Sequence, residues 1–102
     1  MSYSDAMVEG VIRRHGPITL RDIARMTHLS RRDCEAAVQD LRLRGEPVID
    51  DGQLGLRYTD DPDELAGYVK SRRQRARTIL AAARPLRETG RRLRQRDMVL
   101  GL

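Results

Sequence analysis

The stretch "SRRDCEAAVQD", residues 30 to 40, gathers the side chains best suited to chemistry with something outside the chain. Ser30 is a helix-capping type, Arg31 and Arg32 follow it, and Glu35, Ala36 and Gln39 recur on the exposed side of the helix that the spacing predicts. The backbone dipole already disfavours positive charge at a helix entrance, so two adjacent arginines there either meet an external anion or are simply solvated surface residues. Covalent chemistry has no comparable signal: the sequence holds no nucleophile motif, no phosphate-cradling glycine loop and no carboxylate pair in apolar surroundings. Asp50 with Asp51 falls in a predicted turn, and Asp60 with Asp61 precedes a predicted helix. His15, His28 and Cys34 fit no usual zinc spacing. The expectation is a non-enzymatic protein with no cofactor and no metal.

Five helical or extended elements must position that stretch. "SDAMVEGVIRRHG" predicts a first helix over roughly 5–15, with Ser4 as its cap and Ala6, Met7, Val11 and Ile12 near one face. "PITL" is a short extended link ending in Thr19, a second cap, with Asp22 three residues on; the helix it opens covers 20–27 and buries Leu20, Ile23 and Ala24. After a tight turn, Ser30 caps the helix 31–44, whose Cys34, Ala37, Val38 and Leu41 face inward until Gly45 and Pro47 end it. "PVIDDGQLGLRYT" then reads as a β-hairpin, with Val48 and Ile49 outbound, Gly52 in the turn and Leu54 to Tyr58 returning.

From "TDDPDEL" onward the pattern is one long helix, capped by Asp60 or Asp61. Leu65, Val69, Arg72, Ala76, Ile79, Ala83 and Leu86 recur in alternating steps of four and three, the spacing of a coiled-coil seam that Arg72 interrupts. Pro85 and Gly90 predict a kink or break near 84–90, and 98–102 reads as a disordered tail. The expected organisation is a domain over 1–59 and a basic helical extension over 60–97.

Charge divides along the same line. The whole chain of 102 residues carries +5, but residues 1–69 hold 9 arginines against 13 acids, while 70–102 hold 11 basic residues against Glu88 and Asp97. The front is therefore acidic and the tail strongly basic, the footprint of an anionic polymer as partner. With no Trp, no Phe and one cysteine, the core is aliphatic and no internal disulfide forms. No apolar run approaches membrane-spanning length, so no membrane partner and a cytoplasmic location are expected.

Helix, short strand, helix, turn, helix and two-stranded wing is the order of a winged helix-turn-helix, a mostly helical α+β fold, here with a long C-terminal helix. "ITLRDIARMTHLSRRDCEAAVQDLRLRGEPVIDDGQLGLRYT" resembles the small winged domains of biotin-repressor and deoR-like type over roughly residues 5–59, with Leu29 and Ser30, Leu41 and Arg42, Gly45, Pro47 to Ile49 and "GLRYT" as the matching elements. His28 stands where that family usually has Gly, and Thr27 where an apolar residue is usual. "DDPDELAGYVKSRRQRARTILAAARPLR" is similar in composition to helices appended to winged proteins of actinobacterial phages.

The resemblance implies sequence-specific binding to double-stranded DNA by a transcriptional regulator of a phage or mobile element, with the helix 31–44 in the major groove. Ser30, Arg31, Arg32, Glu35, Ala36, Gln39 and Arg42 would then be the residues of contact. Arginine can take guanine O6 and N7, Gln39 adenine N6 and N7, and Glu35 cytosine N4. Arg57 on the return strand either reaches DNA or pairs with Asp50. Arg72, Arg73, Arg75 and Arg77 spread round the long helix, so that one subset contacts phosphate and another is solvated, or the whole helix is solvated, while its seam offers a homodimer interface. The rival reading is an adaptor that uses the winged fold to bind a host transcription or replication protein.

Overall fold

The computed structural model describes residues 2–101, so Met1 and Leu102, the ends of the expected domain and tail, lie outside the described residues. Helix α1 spans Tyr3–His15 and starts earlier than the expected Ser4 cap, because the Ser2 side chain accepts the Asp5 backbone N–H at 3.1 Å. The buried residues of α1 are Asp5, Val8 and Ile12, a face rotated from the expected Ala6 and Met7. A charged residue inside the core has a specific cause: Arg44 donates to the Asp5 carboxylate at 3.1 Å.

Helix α2, Leu20–Thr27, begins as its cap predicts, with Asp22 N–H on Thr19 Oγ1 at 3.2 Å. It ends at His28 in the left-handed region, φ 60°, so this histidine does fill the position where glycine is usual. Thr27 tolerates burial because its hydroxyl donates to the Ile23 carbonyl at 2.7 Å and accepts the Leu29 N–H. Helix α3, Arg31–Leu43, follows at once, and Cys34, Ala37, Val38 and Leu41 are its buried residues, as the periodicity predicts. They join Val8, Ile12, Ile18, Ile23, Val48 and Leu56 in one aliphatic core.

Strands β1, Val48–Asp50, and β2, Leu56–Tyr58, pair antiparallel with Val48 opposite Tyr58 and Asp50 opposite Leu56. The return strand starts at Leu56 rather than Leu54, which stays exposed. Gly55 explains the shift: at φ 106° it lies so close to the Ile18 main chain that a Cβ would stand 2.3 Å from the Ile18 carbonyl oxygen. Ile18 bonds Leu56 in both directions, N–H to O at 2.9 and 2.8 Å, and so adds a one-residue bridge beside β2.

Helix α4 runs Pro62–Leu100. Asp61 caps it, accepting Asp63 N–H at 2.9 Å. The break expected near 84–90 and the disordered residues expected from 98 are not found, since the helix continues through Pro85 and Gly90 to Leu100. Proline removes a single main-chain donor, and the flanking alanines, arginines and leucines are strong helix formers. The chain divides into two compact units, Met1–Ala66 and Gly67–Leu102, with the boundary one helical turn or so inside α4 rather than at residue 59. Two hydrogen bonds hold that first turn to β2 and the residue after it: Thr59 Oγ1 donates to Glu64 at 2.6 Å, and Arg57 donates to the same carboxylate. No described helix is long and apolar enough to cross a membrane.

Candidate nucleic-acid interface

The tight α2–α3 turn aims α3, and its cap sets where the helix starts: Asp33 N–H meets Ser30 Oγ at 3.0 Å. With Cys34, Ala37, Val38 and Leu41 turned into the core, Arg31, Arg32, Glu35, Ala36 and Gln39 are all left exposed. Six of the expected contact residues thus lie together on Ser30 and the outer side of α3. Arg31 reaches Glu35 at 3.4 Å in a solvent-exposed pair. Such pairs contribute about 0–1 kcal/mol, so Glu35 holds Arg31 only weakly. Arg32 engages no carboxylate among the described residues and is available outright.

Arg42 and Arg57 do not belong to that surface. Arg42 is half-buried and its Nε donates to the Val48 carbonyl at 3.0 Å, which ties the end of α3 to β1. Arg57 bridges Asp51 and Glu64 rather than pairing with Asp50. The hydrogen bond to Glu64, then that to Asp51, raises the Arg57 pKa above its ordinary value, and Glu64 is correspondingly held below its own. Asp50 instead accepts the Gly52 N–H at 2.8 Å and tightens the turn.

A cleft of about 230 Å³ opens beside the entrance of α3, lined by Thr19, Leu20, Arg21, Arg31, Asp50, Gly52, Gly55 and Leu56. It brings two guanidinium groups and the starts of two helices to one place, with a single carboxylate on the wall. Arg21 and Asp50 were not among the residues expected to act. Arg21 repeats the signal of Arg31, an arginine just inside a capped helix, whereas nothing local in the sequence places Asp50 across from it. A second cleft, about 370 Å³, is lined by Arg13, Pro47, Tyr58, Thr59 and Asp60. There the Arg13 guanidinium lies 4.0 Å from the Tyr58 ring centre, and burial pushes the Tyr58 hydroxyl up to about 12.

On α4, Arg72, Arg73, Arg75 and Arg77 are exposed, Arg72 standing 5.5 Å over the Tyr68 ring. They occupy several sides of the helix, as expected, and form a basic sleeve rather than a patch.

The family model described as "DNA glycosylase AlkZ-like" matches residues 2–94, nearly the whole chain. This protein belongs to the AlkZ-like DNA glycosylase family. No curated protein matches its sequence. Membership overturns the reading taken from winged regulators: the AlkZ-like family is one of DNA glycosylases, not of transcription regulators, and it is an enzyme family, against the expected non-enzyme. A phage or viral origin and a host-protein adaptor lose their support with it. DNA as the partner is consistent with both the AlkZ-like family and the cationic α3 entrance. Element order and surface charge constrain a fold but do not by themselves distinguish a regulator from an enzyme.

Proposed function

We propose that this AlkZ-like protein binds duplex DNA with a winged helix-turn-helix front unit and serves removal of a base by hydrolysis of its N-glycosidic bond. The family match over residues 2–94 carries the reading. The element order α1, Ile18 bridge, α2, α3, β1 and β2 supports the winged assignment, with α3 as the element presented to the groove. Ser30, Arg31, Arg32, Glu35, Ala36 and Gln39 contact the duplex, Arg21 and Arg31 seat a phosphate in the cleft between them, and the sleeve from Lys70 onward adds phosphate contacts of low specificity.

A glycosylase exposes its target base by rotating it out of the stack. As the C1′–N bond breaks, its electron pair leaves with the base, positive charge develops on the sugar, and a water oxygen bonds C1′ while its proton passes to a nearby base or solvent. A carboxylate serves both needs. Asp50 is the carboxylate beside the phosphate-seating arginines, and we assign it that role, with its Gly52 hydrogen bond keeping it oriented.

The experiment is incubation of the protein with duplexes that each carry one modified base, scored by alkali-labile abasic sites, with affinity measured in parallel. Excision of at least one lesion is expected. Asp50→Asn should bind that duplex as the parent does and leave the base in place, while Arg31→Ala with Arg32→Ala should lose about 2–5 kcal/mol of affinity at an unchanged melting temperature. Absence of both excision and low-salt duplex binding refutes the reading.

A further inference from the structure

Helix α4 carries an apolar seam whose side chains from Val69 onward are largely exposed. Continued past Leu86, the alternating steps of four and three run through Gly90, Leu93 and Asp97 to Leu100. Ile79, Leu86 and Leu100 are 64%, 67% and 62% exposed, a row of apolar side chains in water that marks an interaction surface. Three seam positions are anomalous for a core: Arg72, Gly90 and Asp97. Their placement identifies what covers the seam.

We infer that α4 pairs with α4 of a second copy of this chain as an antiparallel coiled coil, in the register that sets Arg72 against Asp97. Antiparallel pairing about a two-fold axis fixes every other layer once one is chosen. Val69 meets Leu100, Ala76 meets Leu93, Ile79 meets Gly90, and Ala83 meets Leu86. Each of the three inner layers joins a large side chain to a small one, which is how facing positions interdigitate without voids or overlap. The outer layer joins opposite charges. Parallel pairing would instead stack Arg72 on Arg72, Asp97 on Asp97 and Gly90 on Gly90, two repulsions and a void.

Pro85 lies off the seam, on the outer side of α4, where its missing N–H does not disturb the contact. Asp97 is half-buried and touches Arg96 only at 3.5 Å, a contact readily exchanged for one across the interface. The flanks oppose the pairing: the same register brings Arg73 near Arg94 and Arg75 near Arg96 of the second copy. Salt screens these outer like charges more than an Arg72–Asp97 layer enclosed between the two helices, so the dimer tightens as ionic strength rises. This inference goes beyond the glycosylase reading and does not depend on it.

The test is sedimentation equilibrium of the full chain at several salt concentrations, with helicity followed by circular dichroism. The parent should be a monomer–dimer system that strengthens with salt. Arg72→Asp or Asp97→Arg alone should weaken dimerisation about tenfold or more with helicity of the folded chain retained. The doubly exchanged variant should recover it, and an equimolar mixture of the two single variants should form a mixed dimer, because acid then meets base in both outer layers. A monomer at the highest attainable concentration and salt, a species larger than a dimer, or an exchanged variant no better than the singles overturns the inference; the first outcome leaves the seam to a different partner.

Discussion

Removing Arg44 should loosen the hold of α1 on α3 and thereby the placement of the outer side of α3. The Asp5 side chain is only 6% exposed and Arg44 37%, with 3.1 Å between guanidinium and carboxylate. Breaking a fully buried pair by deleting one partner costs about 3–5 kcal/mol, because an uncompensated charge remains inside. Water reaches this pair from the Arg44 side, so Arg44→Ala is expected to cost nearer 2 kcal/mol, or roughly 8–16 °C for a unit of this size. Urea denaturation of the parent, Arg44→Ala, Asp5→Asn and the double variant gives the coupling directly. The double variant should resemble the milder single, with coupling of about 1 kcal/mol or more. An Arg44→Ala cost below about 0.5 kcal/mol, or additive effects, would show that Asp5 is held by something other than Arg44.

Gly55→Ala should be among the most damaging single-methyl changes, since its Cβ would stand 2.3 Å from the Ile18 carbonyl oxygen at φ 106°; a loss of more than about 3 kcal/mol in the same assay is expected, and a neutral result refutes the close approach. Glu64 is held below its ordinary pKa chiefly by the Arg57 hydrogen bond, so its stabilising contribution is complete above the ordinary value of 4.5 and is lost as pH falls through the depressed one. Melting temperatures of the parent and Glu64→Gln should therefore differ at neutral pH and converge in acid, and curves that stay parallel would contradict the assignment. The Tyr58 hydroxyl, pushed up to about 12 by burial, should ionise late in an ultraviolet titration; a late step that survives in Tyr58→Phe belongs to another residue.

What was legible in the sequence is what depends on near neighbours. Thr19 and Ser30 cap their helices through bonds to Asp22 and Asp33 that span three residues, and Cys34, Ala37, Val38 and Leu41 face inward because a helix repeats every 3.6. What escaped depends on distant partners. Asp5 is buried because Arg44 waits for it 39 positions on, a fact that no helical period contains. Arg57 stands opposite Ile49, so the two-residue alternation of a strand puts Asp50 on the other face, and its second partner, Glu64, comes from the next element. In the candidate site, the outer side of α3 could be read from its amphipathic pattern, whereas Arg21 and Asp50 meet only when the β1–β2 turn comes to rest beside the starts of α2 and α3. The basic helix was readable to its seam; its passage through Pro85 was not, since local propensity weighs the lost bond but not the strength of the flanking run.

Cys34 is the only cysteine in the chain, is 0% exposed, and lies against the Thr27 hydroxyl at 3.9 Å between α2 and α3. A thiol sealed in this way is a clock. Alkylating reagents have no route to it until the two helices part, so under conditions where closing outpaces reaction, the modification rate reads the population of the opened form. The same property keeps oxidation from linking folded molecules, and a disulfide-joined species on a non-reducing gel marks chains that have opened. Any variant of the α3 surface can thus be scored for integrity by the speed of a single chemical reaction, with no second probe introduced.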